Sequence, residues 1–238
     1  MTFSTADTHI HTNHSDGNHS PIEVVNNAIK NNIKVIAITD HNTISGAIEA
    51  KNYAIKNNLP IEIIIGEEIS SKNGHIIALY IDSKIPAGLN AKDTINEIHK
   101  QKGLAVAPHI SHFFSYKKRK HKRIKKIIKS LNFDAIETVT NSSFVAFIGD
   151  GRAQKINKFL NLPVVGVSDA HDIIFIGKGY TVFEGYTAED LRKCIINKKT
   201  KAEFKPYCFA ESVKLSIKSV KVVYRYAKYN IRNRGICR

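Results

Sequence analysis

Three cysteines, Cys194, Cys208 and Cys237, are all that the 238 residues contain. An odd, scattered set excludes a disulfide framework and suits a reducing compartment. None has the spacing of a zinc knuckle. No apolar run approaches the roughly 20 residues needed to cross a bilayer. Residues Met1 to Asp7 lack both a basic n-region and an apolar h-region, so a cytoplasmic rather than secreted protein is expected. There is no Gly-x-Gly-x-x-Gly, no P-loop and no internal repeat, which argues against a dinucleotide fingerprint, a Walker-type nucleotide site and a solenoid. What is present, 42% hydrophobic and 24% charged residues, is the composition of a globular protein long enough for one full core and an appendage.

The charge is unevenly placed. The chain carries a net +15, yet residues 117 to 129 hold nine Lys/Arg and no acid, and residues 197 to 238 hold twelve Lys/Arg against Glu203 and Glu211. Outside these two blocks the chain is mildly acidic. Local basicity of this kind points to an anionic partner near the blocks. Phe113, Phe114 and Tyr116 precede the first block and have the faces to stack on bases. In the tail, Val213, Ile217, Val220, Tyr224, Ala227 and Ile231 recur at steps of four and three. Lys214, Lys218, Lys221, Arg225, Lys228 and Arg232 follow one residue on. The spacing predicts an amphipathic helix with an apolar stripe beside a basic one. The apolar stripe lacks Trp and Leu clusters, so packing on the protein is expected before membrane binding.

Apolar runs alternate with amphipathic stretches along the body. Strands are expected over residues 6–12, 34–39, 61–67, 75–81, 104–109, 135–140, 164–168 and 180–183. Most read as continuous apolar runs, as in strands buried on both faces. Helices are expected over 21–31, 43–56, 91–102, 119–130, 152–160 and 187–197, the first with Ser20 as N-cap and Pro21 at its first position. Asn73-Gly74 marks a hairpin. Otherwise the β-then-α order argues a mostly parallel sheet, and about seven strands suggest an α/β barrel, distorted in places. A barrel domain over 1–196 and a basic helical extension over 197–238 are expected.

The chemistry sits at the ends of the apolar runs. His9 and His11 are two apart, which on a strand puts both rings on one face. Asp169 and His171 repeat the spacing near the other end. Asp16, His41, Glu67, His75 and His109 fall in loops or at strand ends where a barrel gathers ligands. Imidazole with carboxylate suits zinc, manganese or iron rather than a calcium-only site.

The segments Asp7-Thr8-His9-Ile10-His11, Ser15-Asp16-Gly17, Thr39-Asp40-His41-Asn42, Gly66-Glu67-Glu68, Gly74-His75, Pro108-His109 and Ser168-Asp169-Ala170-His171 resemble the PHP (polymerase and histidinol phosphatase) family over roughly residues 6–185. The resemblance implies a distorted (β/α)7 TIM-like barrel and three divalent metals, Mn, Zn or Fe. It implies that His9, His11, Glu67 and Asp169 hold the first metal, that Glu67 bridges to a second completed by His75 and His109, and that Asp16, His41 and His171 hold a third. Glu68 should point away from Glu67 and is expected to be structural. Asp7 and Asp40 are expected to orient imidazoles. The implied activity is hydrolysis of a phosphomonoester or phosphodiester by a metal-activated hydroxide, with His9, His11, Glu67, His109, Asp169 and His171 at its centre. The chain departs from small relatives at Asn141-Ser142-Ser143-Phe144, where they carry a phosphate-gripping Arg. His112, Lys117, Lys118, Arg119, Arg152 and Lys178 are the expected substrate contacts. The basic run after His109 favours a nucleotide or single-stranded nucleic acid over a smaller phosphorylated molecule. A metal-bearing nucleic-acid-binding module and a histidinol-phosphate-type phosphatase are the alternatives.

Overall fold

A computed structural model describes residues 2–109, 127–140 and 146–206, with the side chains of 146–150 and 152 left out. The elements are β1 (Phe3–Ile10), α1 (Pro21–Lys30), β2 (Val35–Ile38), α2 (Ser45–Lys56), β3 (Glu62–Ser70), β4 (His75–Leu79), α3 (Ala91–Lys100), β5 (Leu104–Ala107), β6 (Ala135–Thr140), α4 (Ala146–Leu160), β7 (Val164–Val167), β8 (Gly179–Glu184), α5 (Ala188–Ile196) and β9 (Lys201–Phe204).

All nine strands form one sheet in the order β7-β6-β5-β4-β3-β2-β1-β8-β9. It curls into a nearly closed barrel. At one end of the seam the His11 N–H donates to the Ala170 carbonyl (2.9 Å), extending β1 alongside the chain leaving β7. Further down, β8 fills the gap. The Thr181 hydroxyl donates to the Gly166 carbonyl (2.9 Å) and accepts from the Gly166 N–H (3.0 Å). The expected α/β barrel is therefore present.

The sheet is less parallel than its β-then-α order predicts. β4 is antiparallel to both β3 and β5, β8 is antiparallel to β1, and β9 to β8. The predicted hairpin is the cause. A tight turn between Ser70 and His75 reverses β4, and the helix-bearing link to β5 reverses direction again. β9 escaped sequence reading because Lys201–Phe204 is a partly exposed strand with little apolar content. Its pairing with β8 carries the compact unit from Met1 to Lys205, beyond the expected boundary at 196. The second unit runs from Pro206, and the stretch expected to form the tail helix lies outside the described residues. Of the expected 119–130 helix only a 3₁₀ turn at Ile128–Ser130 is described.

Strand interiors explain the continuous apolar runs. Ala6, Val35, Ala37, Ile64, Leu79, Val106, Ala135, Val165 and Phe183 fill the barrel. Alternate residues such as Ile10, Ile36 and Ile38 face outward under α1 and α2, and Ile69, Ile76 and Ile136 under the neighbouring helical layer. Capping fixes where the helices start. Ser20 and Glu23 form a capping box at α1, Thr187 and Asp190 another at α5, and Asn90 caps α3.

Gly166 is where the seam is tightest. A Cβ there would lie 2.3 Å from the Tyr180 carbonyl oxygen and 3.0 Å from the Glu203 N. Both obstacles are backbone, so they cannot rotate away. Gly166→Ala should therefore destabilise the fold by about 1–3 kcal/mol, read as a lower urea midpoint. An unchanged midpoint would show that the seam is looser than described.

Candidate metal centre

The expected ligands come together at one end of the barrel, with one exchange. On β1, His9 and His11 face the interior and Ile10 faces the helices. This requires an irregularity, because Ala6 also faces inward. The pairing of β1 with β2 slips between Asp7 and Ile10, so the extra residue turns His9 onto the interior face. Such bulges aim side chains next to functional sites. His41 follows β2, His109 follows β5, and Asp169 and His171 follow β7. His75 begins β4, and because β4 runs backwards its start lies beside the end of β3.

The exchange concerns the two glutamates. Glu68 lies among the histidines, and Glu67 does not. Interior positions on β3 are Ile64, Gly66 and Glu68, while Ile63, Glu67 and Ile69 face outward. Sequence reading ended the strand at Glu67. β3 in fact continues to Ser70, so the two-residue period rather than the strand end decides which glutamate points in. The run Ile63-Ile64-Ile65 is apolar on both faces, so the sequence carries no mark of which glutamate points in. The Glu67 Oε2 accepts from the Ile85 N–H (2.8 Å), its Oε1 has no hydrogen bond, and burial pushes its pKa up to about 7.

Glu68 is the hub. Its Oε2 lies 3.3 Å from His9 Nε2, 3.2 Å from His11 Nε2 and 3.3 Å from His41 Nδ1. Its Oε1 lies 2.6 Å from His75 Nδ1 and 3.1 Å from His109 Nε2. Asp169 Oδ1 stands 3.4 Å from both His9 Nε2 and His11 Nε2, which are 3.1 Å from each other. On the rim, Asp16 approaches His171 Nε2 (3.4 Å), His41 Nε2 (3.5 Å) and His11 Nδ1 (3.6 Å). His9, His11 and Glu68 are buried, whereas the Asp16 and His171 side chains are 53% and 40% exposed. The cluster thus has a closed floor and an open mouth.

These residues fit metal ions. Donor atoms bound tetrahedrally at 2.0–2.1 Å stand about 3.3 Å from one another. The spacings among His9, His11, Glu68 and Asp169 match that edge. Two imidazole nitrogens 3.1 Å apart can share one proton at most, and a common cation satisfies both lone pairs. The Nδ1 atoms of His11 and His41 are buried without a hydrogen bond, so these rings are not satisfied by protein groups alone. Four overlapping groups emerge: His9, His11 and Asp169; His9, Glu68 and His109; His41, Glu68 and His75; and His11, Asp16, His41 and His171.

The electrostatics agree. Burial alone would raise the Glu68 pKa, but the hydrogen bonds of His109, His11, His75 and His9 hold it well below the usual carboxylate range. Burial would likewise lower His11, but Asp169 and Glu68 raise it to about 9. His9 is raised against burial by Glu137 and Asp169, and His109 chiefly by Glu68. Asp169 and Asp16 are depressed, against burial, by the imidazoles they face.

The supporting carboxylates do not all act as expected. Asp7 and Asp40 hold backbone and hydroxyl groups rather than imidazoles. Asp7 accepts from the Ser168 N–H (3.0 Å) and Gly177 N–H (2.9 Å), which bracket the loop bearing Asp169 and His171. Burial lifts its pKa to about 6. Asp40 accepts from the N–H and hydroxyl of Thr12 (2.7 and 2.6 Å) and from the Ser15 hydroxyl (2.6 Å), shaping the loop that presents Asp16. Asp7 is paired with outward-facing Ile36, and Asp40 follows the end of β2, so both side chains reach loops rather than the rings. Sequence reading missed Asn42 and Glu137. Asn42 adopts φ +54° and clips itself to Ser70 by two hydrogen bonds, prolonging the β2–β3 pairing past His41. Of the expected substrate contacts, His112, Lys117, Lys118 and Arg119 lie outside the described residues, as does the 141–144 stretch. Arg152 belongs to α4, and its side chain is not described. Lys178 lies in the turn leading to β8, where its carbonyl accepts from the Lys205 N–H (2.7 Å).

A barrel that converges six imidazoles and three carboxylates at its strand ends is an α/β metal-site barrel. Residues 7–196 match the PHP domain, and the chain belongs to that family. A protein of Methanocaldococcus jannaschii described as uncharacterized is 41% identical over 115 residues, 44% of this chain and 66% of that protein. The 5′-3′ exoribonuclease of Haemophilus influenzae is 39% identical over 84 residues, 34% of this chain and 30% of that protein. The chain therefore spans less than two thirds of either relative. Among solved structures, a two-domain protein of Bacteroides vulgatus containing a predicted PHP-like metal-dependent phosphoesterase shares the fold. Its TM-score is 0.69 at 21% identity, over 85% of this chain and 65% of that one. Among the described residues, no helix is long and apolar enough to cross a membrane.

Two measurements test this geometry. Glu68→Gln should lower divalent-ion affinity by more than about 100-fold, beyond what outer-shell changes cause, whereas Glu67→Gln should bind ions as the wild type does. The reverse ranking would restore Glu67 as the ligand. Because imidazoles must lose a proton to ligate, and His11 holds its proton up to about 9, calorimetric affinity should climb from mildly acidic pH towards that value. A flat profile would contradict the proton competition.

Proposed function

We propose that the protein is a metal-dependent phosphoesterase that cleaves a phosphate ester at the end of a nucleotide or nucleic acid. The observation that carries this reading is Glu68, a buried carboxylate within 3.3 Å of five imidazoles. Three ions account for the donor set. His9, His11, Glu68 and Asp169 would hold the first, Glu68 with His75 and His109 the second, and Asp16, His41 and His171 the third. Bound there, divalent ions lower the pKa of water towards roughly 7 and neutralise charge on a phosphoryl group.

The chain's own residues do the rest. The Glu68 carboxylate offers one oxygen to each of two neighbouring groups and so sets their separation. Asp169 and Glu68 bring anionic charge that balances cations in a buried floor, where uncompensated charge is costly, and Asp16 does the same at the rim. The half-exposed Asp16 and His171 leave the mouth open for a phosphate to enter. Asp40 and Asp7 fix the loops that carry these rim residues, so the phosphate meets a preorganised site. No covalent attachment of substrate to the protein is required.

The preference for nucleic acid rests on two supports. One is the stretch shared with the H. influenzae 5′-3′ exoribonuclease. The other is the sequence run Lys117-Lys118-Arg119-Lys120-His121-Lys122-Arg123, a short distance after His109. A basic run close in sequence to a site residue suits attraction of polyanions.

The test is a substrate panel on manganese-loaded protein, comparing a generic phosphomonoester, nucleoside bisphosphates and short 5′-phosphorylated oligonucleotides. Turnover should be abolished by chelator and be greatest on the nucleotide substrates. Absence of turnover on every member at full ion occupancy would overturn the reading. Preference for the generic monoester would overturn the nucleic-acid part alone.

A further inference from the structure

We propose that Glu137 is a positioning residue that couples two of the ion sites, holding the His9 ring with one carboxylate oxygen and the His109 backbone with the other; this rests on the metal-bound reading of the cluster. Glu137 lies on β6, is 1% exposed and faces into the barrel. Its Oε1 is 2.7 Å from His9 Nδ1. Its Oε2 accepts from the His109 N–H at 2.8 Å. His9 belongs to the group with His11 and Asp169 and also to one with Glu68 and His109, whose ring faces the other Glu68 oxygen. One side chain therefore touches a member of each.

Each contact has a specific consequence. A carboxylate facing Nδ1 requires the His9 proton on Nδ1. That leaves the Nε2 lone pair directed at the space shared with His11, Glu68 and Asp169, which is the tautomer a metal ligand needs. The second contact fixes backbone. His109 has φ +24°, a conformation that L residues seldom adopt and that persists only where neighbours enforce it. The Glu137 acceptor supplies that enforcement, and a ring carried on this backbone is aimed at Glu68. The β6–β7 pairing slips immediately after Glu137, with Thr138 as the extra residue. The strand is thus irregular where its side chain meets the site, as at β1.

Both hydrogen bonds need an acceptor, and only a carboxylate accepts at both ends. A glutamine would turn an N–H towards one of the two donors. An aspartate, one methylene shorter, keeps the charge but cannot span both partners. The rim group of Asp16, His41 and His171 has no described contact with Glu137 and serves as an internal control.

The experiment is calorimetric and chelator-competition titration of metal-free, full-length protein with Mn²⁺, alongside its thermal midpoint. Glu137→Gln should weaken two of the bound ions by roughly 10–100-fold, leave the remaining one unchanged and shift the metal-free midpoint little. Glu137→Asp should not restore affinity. It also carries the comparison should the Gln variant not fold. Wild-type affinity for every ion in Glu137→Gln, full restoration by Asp, or an equal loss at all ions accompanied by a lowered midpoint would overturn the proposal. Failure of the wild type itself to bind Mn²⁺ would overturn the metal reading beneath it, which is a distinguishable result.

Discussion

The structure depends on one constraint, which is how to keep the Glu68 carboxylate inside a protein. An ionised carboxylate buried without partners is so costly that it would take up a proton instead. Here five imidazoles stand within 3.3 Å of it, and they come from β1, the end of β2, the start of β4 and the end of β5. No single element could supply them. The barrel is the arrangement that brings these strand ends to one point, and its departures from regularity serve the same end. The reversed β4 places His75 beside β3. The slip in β1 turns His9 inward.

A cluster of this kind is unstable as a purely protein structure. Its imidazole nitrogens face each other at 3.1 Å, and its carboxylates and rings shift each other's proton affinity in opposite directions. Cations would resolve the conflict by taking the place of protons. Folding and ion binding are then linked, because the same carboxylates that need compensation are those that supply affinity. The buried floor and the exposed rim divide the work. Enclosed ligands at the floor raise the strength of each electrostatic interaction. Exposed Asp16 and His171 at the rim keep a path open to solvent.

Much of this was legible in the chain. The polar ends of apolar runs, with the loop after the first of them, located eight of the nine residues that the structure gathers into the cluster, since a residue that must reach the mouth of a barrel has to sit where a strand stops or beyond it. The ninth failed for an instructive reason. Adjacent Glu67 and Glu68 are equivalent by composition, and only the parity of β3 tells them apart. Parity is invisible when both faces of a strand are apolar, because Ile63, Ile64 and Ile65 offer no contrast between inside and outside. Glu137 was hidden differently. It lies mid-run in Ala135-Ile136-Glu137-Thr138-Val139, away from any strand end, and its role comes from partners 128 and 28 residues away. Long-range pairing of that kind leaves no local mark.

The backbone carries the same message as the side chains. Asn42, His109 and Asp169, all with positive φ, each adjoin or form part of the cluster. Each such residue costs of order 1–3 kcal/mol and must be held by its surroundings. The holders are themselves polar and specific: Ser70 for Asn42, Glu137 for His109, and the loop clamped by Asp7 for Asp169. Six other described non-glycine residues with positive φ lie away from the cluster, but these three are held by partners that also shape it. Their persistence ties the hydrogen-bonding partners to the geometry of the ligands. It follows that the functional unit extends one layer beyond the atoms that face the ions, and that the carboxylates of that layer differ in what they fix. Asp7 and Asp40 fix loops, and Glu137 alone among the described carboxylates fixes both a ligand ring and a ligand backbone.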